Sequence, residues 1–182
     1  MDKNPIKVKL MSDVLIAFGT RYGATGDTAA AIAAVLKKKH KLVSDIWDLK
    51  DYRSCPDLSD YKYVIIGSGI KYGKWTENTE KYLENDFTGK KVAVFISSSY
   101  AGETETYDYA KKNFLENVIS KHSNVNPIAT EAFGGRIPLT QIPKIWTLRI
   151  LQRIPTFQKD NRDWEKIEKW AEKVGKLFTE EN

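Results

Sequence analysis

Three short segments of this chain are almost wholly apolar: Val14 to Phe18, Val64 to Ile66 and Val92 to Ile96. A strand with one wet face alternates apolar and polar residues. A run apolar at every position must instead be covered on both faces. The stretches between these runs carry their apolar residues at helical spacing. Ala29, Ile32, Ala33 and Leu36 share one face of a helix expected over 25–38, and Trp164, Ile167, Ala171, Val174 and Phe178 share one stripe of a helix expected over 163–178. Doubly buried strands alternating with amphipathic helices require a parallel sheet with helices on both sides.

The same reading predicts five strands, over 13–18, 41–49, 62–67, 91–97 and 126–133. Further helices are expected over 77–86, with Tyr82, Leu83 and Phe87 apolar, and over 103–121; 51–61 holds Pro56 and turn residues, so any helix there is short. Parallel strands need crossovers, and these are right-handed. Five strands so connected suit a doubly wound α/β sheet of order 2-1-3-4-5, in which a ligand binds beyond the carboxyl ends of the strands at the switch between the first and third. Chemistry is therefore expected in the loops after Phe18, Ile66 and Ile96.

A chain of 182 residues with 41% hydrophobic and 29% charged residues suits one soluble globular domain with a sizeable core. No apolar run approaches the roughly 20 residues of a spanning helix, and residues 1–12, an N-terminal extension, lack a secretory pattern, so a cytoplasmic protein is expected. Cys55 is the only cysteine, which excludes an internal disulfide, and it reads as a semi-buried small residue beside Pro56. His40 and His122 lie far apart, and no metal site is expected.

The first loop reads Gly19-Thr20-Arg21-Tyr22-Gly23-Ala24-Thr25-Gly26. Its glycines let the backbone curl and approach a ligand, and the unpaired N–H groups at the helix start favour an anion. Thr20 and Thr25 add hydroxyls, and Arg21 a nearby positive charge. This is chemistry for a phosphate, or a glycine-rich turn with a threonine helix cap. A P-loop is excluded because no lysine follows Gly23 or Gly26, and the glycines space as G-x-x-x-G-x-x-G rather than the dinucleotide fingerprint. Asp48 could imitate the ribose-binding acid of that fingerprint. A phosphoacceptor receiver domain needs carboxylates where the first and third strands here end in Phe18-Gly19 and Ile66-Gly67. The second loop, Gly67-Ser68-Gly69-Ile70-Lys71-Tyr72-Gly73-Lys74-Trp75, interleaves glycines with aromatics. Tyr72 and Trp75 could offer faces to a planar ring while backbone amides read its edge. The third, Ser97-Ser98-Ser99-Tyr100-Ala101-Gly102-Glu103, offers hydroxyls, one aromatic and a glycine. No side chain stands out as a catalytic acid or base.

T-x-x-G-x-T at Thr20 to Thr25, directly after an apolar strand, resembles the FMN-phosphate loop of flavodoxins. More narrowly, Ile66-Gly67-Ser68-Gly69-Ile70-Lys71-Tyr72-Gly73, Phe133-Gly134-Gly135-Arg136-Ile137 and Asp163-Trp164 resemble the flavodoxin-domain family that includes menaquinone-dependent protoporphyrinogen IX dehydrogenase. The resemblance covers most of 13–178 and implies a flavodoxin-like domain over 13–182 with non-covalent FMN. It implies that Thr20, Arg21, Tyr22, Gly23, Ala24 and Thr25 hold the phosphate. It further implies that Ser68, Gly69, Ile70, Tyr72, Gly73 and Trp75, with Ser98, Ser99, Tyr100, Ala101 and Gly102, flank the isoalloxazine. Enzymes of that family oxidise protoporphyrinogen, pass electrons to a quinone at the membrane, and carry a basic, apolar insertion before the last helix.

This chain has such an insertion, from Ile137 to Phe157, bounded as a helix by Pro143 and Pro155. Thr147, Ile150, Leu151 and Ile154 share one face, and Arg149, Gln152 and Arg153 another. Between Arg136 and Arg162 six basic residues stand against Asp160 alone, so this stretch carries the entire net charge of +5. A basic, apolar, Trp-bearing helix suits an anionic membrane surface, an acidic partner, a second copy of the chain, or its own domain. The leading expectation is an FMN-dependent dehydrogenase with a quinone or redox-protein partner, peripheral on the inner face of the membrane. A flavodoxin-type electron carrier is the alternative, though such carriers are usually strongly acidic and this chain has a pI near 9.1. A domain that has lost its flavin is the third reading, and no nucleic-acid partner is expected.

Overall fold

The computed structural model describes residues 12–136 and 160–180. The helix expected within 137–157, and with it the membrane-facing reading, lies outside the described residues. Five parallel strands form one sheet of order β2-β1-β3-β4-β5: β1 Val14–Gly19, β2 Ser44–Asp48, β3 Tyr63–Gly69, β4 Lys91–Ser97 and β5 Pro127–Phe133. The helices are α1 Ala24–His40, α2 Glu77–Tyr82, α3 Thr104–Ala110, α4 Asn117–Ile119 and α5 Trp164–Thr179. The parallel sheet and its strand order are those expected.

The apolar runs divide their side chains between two cores. Val14, Ile16 and Phe18 of β1, with Tyr63, Ile65 and Phe95, face α1 and α5. Leu15 and Ala17, with Val64, Ile66, Val94 and Ile96, face α2 and the helices after β4. The period of two sends alternate residues to opposite faces, and because both faces are covered every residue of β1 is buried. Each buried Val, Leu, Ile or Phe among them contributes about 1.5–3 kcal/mol.

Several elements differ from expectation for identifiable reasons. β2 is shorter than 41–49 because Lys41 ends α1 in a left-handed conformation, φ 60°, and its N–H returns to Leu36. The helix expected over 103–121 runs continuously from Thr104 to Ile119, widening to π-type turns at Lys111–Glu116 between α3 and α4. Two short 3-10 turns, Leu49–Ser54 and Leu58–Asp60, bridge β2 and β3, and Asp48 accepts from Lys50 N–H at the first. The stripe of α5 is shifted: Trp164 is 48% exposed under the Arg162 guanidinium, and Trp170 is buried in its stead with Ile167, Ala171, Val174 and Phe178. Trp164 is the first residue after the Asp163 cap. Cys55 is half-buried, and burial pushes its thiol pKa up.

Candidate functional site

The loop between β1 and α1 is shaped by its own hydroxyl. Thr20 Oγ1 accepts from Gly23 N–H at 2.9 Å, and Gly23 takes φ 87° as the N-cap of α1. A non-glycine residue there would be strained. The first N–H groups of the 17-residue α1 have no intrahelical partners and carry the positive end of the helix dipole. Thr25, 1% exposed, holds its hydroxyl directly beneath Gly69, where an added Cβ would lie 2.9 Å from Oγ1.

Arg21 acts as a strut. Its guanidinium donates to the carbonyls of Gly69 (2.9 Å), Lys74 (3.3 Å) and Trp75 (2.7 Å), tying the first loop to the second. In the second loop, Lys71 and Lys74 exchange backbone hydrogen bonds of 3.0 Å across a tight turn. Tyr72 and Gly73 take φ of 52° and 74°, the two left-handed positions of a type I′ turn. The turn lifts Tyr72 to 90% exposure. Lys71 Nζ lies 5.3 Å from the centre of the Tyr22 ring and 5.5 Å from that of Tyr72, and the neighbouring Tyr22 hydroxyl pushes its pKa up. Ser68 is fully buried and accepts from Thr76 N–H at 3.1 Å. Trp75, expected as a face for a planar ring, is 2% exposed; its indole N–H donates to the Phe114 carbonyl at 2.5 Å, so it belongs to the core under the loop.

The third loop caps itself. Ser98 Oγ accepts from Tyr100 N–H, and Ser98 N–H donates to the Phe133 carbonyl at 2.9 Å. Ala101 is buried, Gly102 packs against Asn161, and Tyr100, 51% exposed, leans on Tyr109 and Phe114.

These loops meet in one cleft at the carboxyl edge of the sheet. It is lined by Thr20, Arg21, Tyr22, Ala24, Thr25, Gly69, Ile70, Ser98 and Ser99. Ser97, Gly135 and Arg136 complete it. Gly23, Ser68, Tyr72, Gly73, Trp75, Tyr100, Ala101 and Gly102 stand outside the lining and shape the loops around it. The cleft measures about 50 Å³, room for one compact group, while a whole ligand pocket spans about 300–1,000 Å³, so a larger ring system would rest on the open rim. Gly135 and Arg136, at the end of β5, were not expected as site residues. Their signal was present, since Gly134-Gly135 follows an apolar strand just as the other loops do. Asn161 N–H donates to the Gly135 carbonyl at 3.2 Å and holds this fourth corner in place.

The flavodoxin domain family matches residues 15–164. This chain belongs to that family. The protoporphyrinogen IX dehydrogenase [quinone] of Escherichia coli strain K12 is 24% identical over 179 residues, covering 90% of this chain and 94% of that one. Oxidised flavodoxin 1 from Bacillus cereus superimposes with a TM-score of 0.57 at 18% identity, over 93% of this chain and all of the other. Rubredoxin oxygen:oxidoreductase from Desulfovibrio gigas gives 0.53 at 14% identity, over 91% of this chain and 35% of that larger one.

The cofactor of this flavodoxin domain is FMN. The residues present fit it. Ser97 lines the cleft, and its buried Oγ has no hydrogen-bond partner among the described residues. An orphaned hydroxyl beside a helix start, two threonines and glycines at close approach suits an anionic, hydrogen-bonding group. No helix among the described residues is long and apolar enough to cross a membrane.

Proposed function

We propose that this flavodoxin domain is an FMN-dependent oxidoreductase that takes electrons from a porphyrinogen-like or other reduced substrate and passes them to a quinone or similar acceptor. The observation that carries this reading is the end-to-end likeness to the Escherichia coli protoporphyrinogen IX dehydrogenase [quinone], which spans 90% of this chain and 94% of that one. The open rim of the cleft, with Tyr22, exposed Tyr72 and half-exposed Tyr100 around it, agrees with a planar substrate approaching from solvent or from a membrane surface.

FMN, when bound, supplies the redox chemistry. The chain supplies binding and orientation. Thr20, Thr25, Ser97 and the start of α1 would hold the phosphate; the backbone of Gly69 and Ile70 and the hydroxyls of Ser98 and Ser99 would position the rest. Lys71 keeps a positive charge at the rim, where it favours an acidic substrate edge. No acid or base is assigned.

The deciding experiment is anaerobic turnover of protoporphyrinogen IX by the FMN-loaded protein with a menaquinone analogue, read by porphyrin fluorescence. FMN-dependent turnover is expected. No turnover, together with rapid one-electron exchange with a ferredoxin-type protein, would make the domain a carrier instead. For the membrane arm, deletion of 137–157 is expected to abolish co-sedimentation with anionic vesicles; unchanged sedimentation would remove that arm.

A further inference from the structure

We propose that Arg136 is an anion-binding residue of the cleft, gripping the phosphate monoester of FMN, and that the Asp27–Arg162 pair leaves it free to do so. The inference rests on the assignment of FMN to this cleft and adds a residue to it from the far side of the sheet.

Two arginines line the cleft, and their surroundings differ. The guanidinium of Arg21 is engaged by three carbonyls of the second loop. Its fork is held by those dipoles and points into the loop it braces. Arg136 reaches from the end of β5 to the start of α1. There its NH2 lies 3.7 Å from Asp27 Oδ2, and the side chain is 43% exposed. That distance is beyond a hydrogen bond, and a contact of this kind between half-exposed groups contributes little.

Asp27 poses an electrostatic problem for the site. It sits in the first turn of α1, where a carboxylate is favourable by itself but repels a dianion at the same helix end. Arg162 answers it. Its NH1 donates to the same Oδ2 at 2.7 Å, while Nε and NH2 close a fork on Asp160 at 2.7 and 2.6 Å. The Arg162 side chain is only 5% exposed, so its charge is directed at these two carboxylates. Asp27 therefore has a near, well-aligned partner, and Arg136 a distant one. Moving the Arg136 guanidinium to a phosphate leaves Asp27 paired.

A helix start alone does not make an anion site. Here Ser97, 5% exposed with its hydroxyl unpartnered among the described residues, lines the same cleft as Arg136, Thr20 and Thr25. A planar guanidinium opposite such donors matches the oxygens of a phosphate bidentately.

The test compares FMN with riboflavin, which lacks the phosphate, by flavin-fluorescence titration of the full chain. Wild type is expected to prefer FMN. Arg136→Gln is expected to weaken FMN by about tenfold to a hundredfold, as loss of a charge-assisted hydrogen bond does, and to leave riboflavin within about twofold. Arg136→Lys should retain part of the preference. If the Gln variant does not fold, Arg136→Met, of similar length, takes its place. Equal weakening of both flavins would show that Arg136 merely shapes the cleft, and an unchanged FMN affinity would show that it does nothing there; either overturns the proposal. A wild type that binds both flavins equally overturns the phosphate grip and leaves the flavin assignment standing. A wild type that binds neither overturns the flavin assignment itself.

Discussion

The loops after β1 and β3 lie side by side and are both rich in glycine, yet they use the backbone in opposite ways. In the first, Gly23 alone takes a positive φ, and the chain passes at once into 17-residue α1, so the first N–H groups of that helix are left without intrahelical partners. In the second, Tyr72 and Gly73 both turn left-handed, the chain doubles back within four residues, and Lys71 and Lys74 satisfy each other. The first loop leaves donors open; the second closes on itself and presents a side chain. Glycine content says only that the backbone must bend. The element that follows decides whether the bend becomes a cradle or a platform.

The contrast can be broken where the loops touch. Gly69→Val places a branched side chain against Thr25 Oγ1, within 2.9 Å at its Cβ, and is expected to abolish FMN binding and cost about 1–3 kcal/mol of stability. Fluorescence titration and thermal unfolding check this. Gly23→Val should come next, because φ of 87° is strained for a β-branched residue by about 2 kcal/mol and the cradle opens with it. Arg21→Ala removes the strut and should loosen the second loop by about 2 kcal/mol. Faster hydrogen exchange at Ile70, Lys71 and Lys74 than in wild type is the readout. Thr25→Ala, which takes one hydroxyl from the cradle, should weaken FMN by about 1–3 kcal/mol; unchanged affinity in both this variant and Gly23→Val would remove the site from this loop. The smallest effect sharpens the comparison from the other side. Tyr72→Asn suits a left-handed turn position better and should raise stability by about 0.5–1 kcal/mol, while the preference for FMN over riboflavin stays as it was. A lost preference would mean that the platform takes part in holding the phosphate.

The sheet was legible in the sequence because double burial leaves an unambiguous mark. Lys91–Ser97 is strand at the residues expected, and Val14–Gly19 differs from 13–18 by one residue at each end. What escaped depends on partners distant in the chain. The expected stripe took Trp164 and left out Trp170, yet it is Trp170 that reaches Phe95 and Phe133 of β4 and β5. Trp75 follows a glycine-rich loop and looked exposed; the carbonyl that anchors it belongs to Phe114, 39 residues away. Arg21 read as a positive charge for a phosphate, and its partners turned out to be carbonyls of another loop. The bend at Thr20 to Thr25 was visible because its geometry is local: one hydroxyl, one left-handed glycine and one helix start. Arg136 was passed over, although Gly134-Gly135 follows an apolar strand, because β5 is the edge strand two places from β3 and the ligand was expected between β1 and β3.

The hydrogen bond from Asn161 to Gly135 has a further consequence for how relatives of this chain can diverge. It joins the two sides of 136–160 at a single place on the cleft rim, with Asp27 drawing in the flanking arginines beside it. With its endpoints already pinned together, a connecting segment bears a closure entropy that grows only with the logarithm of its length, about 0.6 kcal/mol for each doubling. Lengthening, trimming or exchanging that segment therefore scarcely perturbs the cleft, and it can vary among relatives while the sheet and its loops are kept.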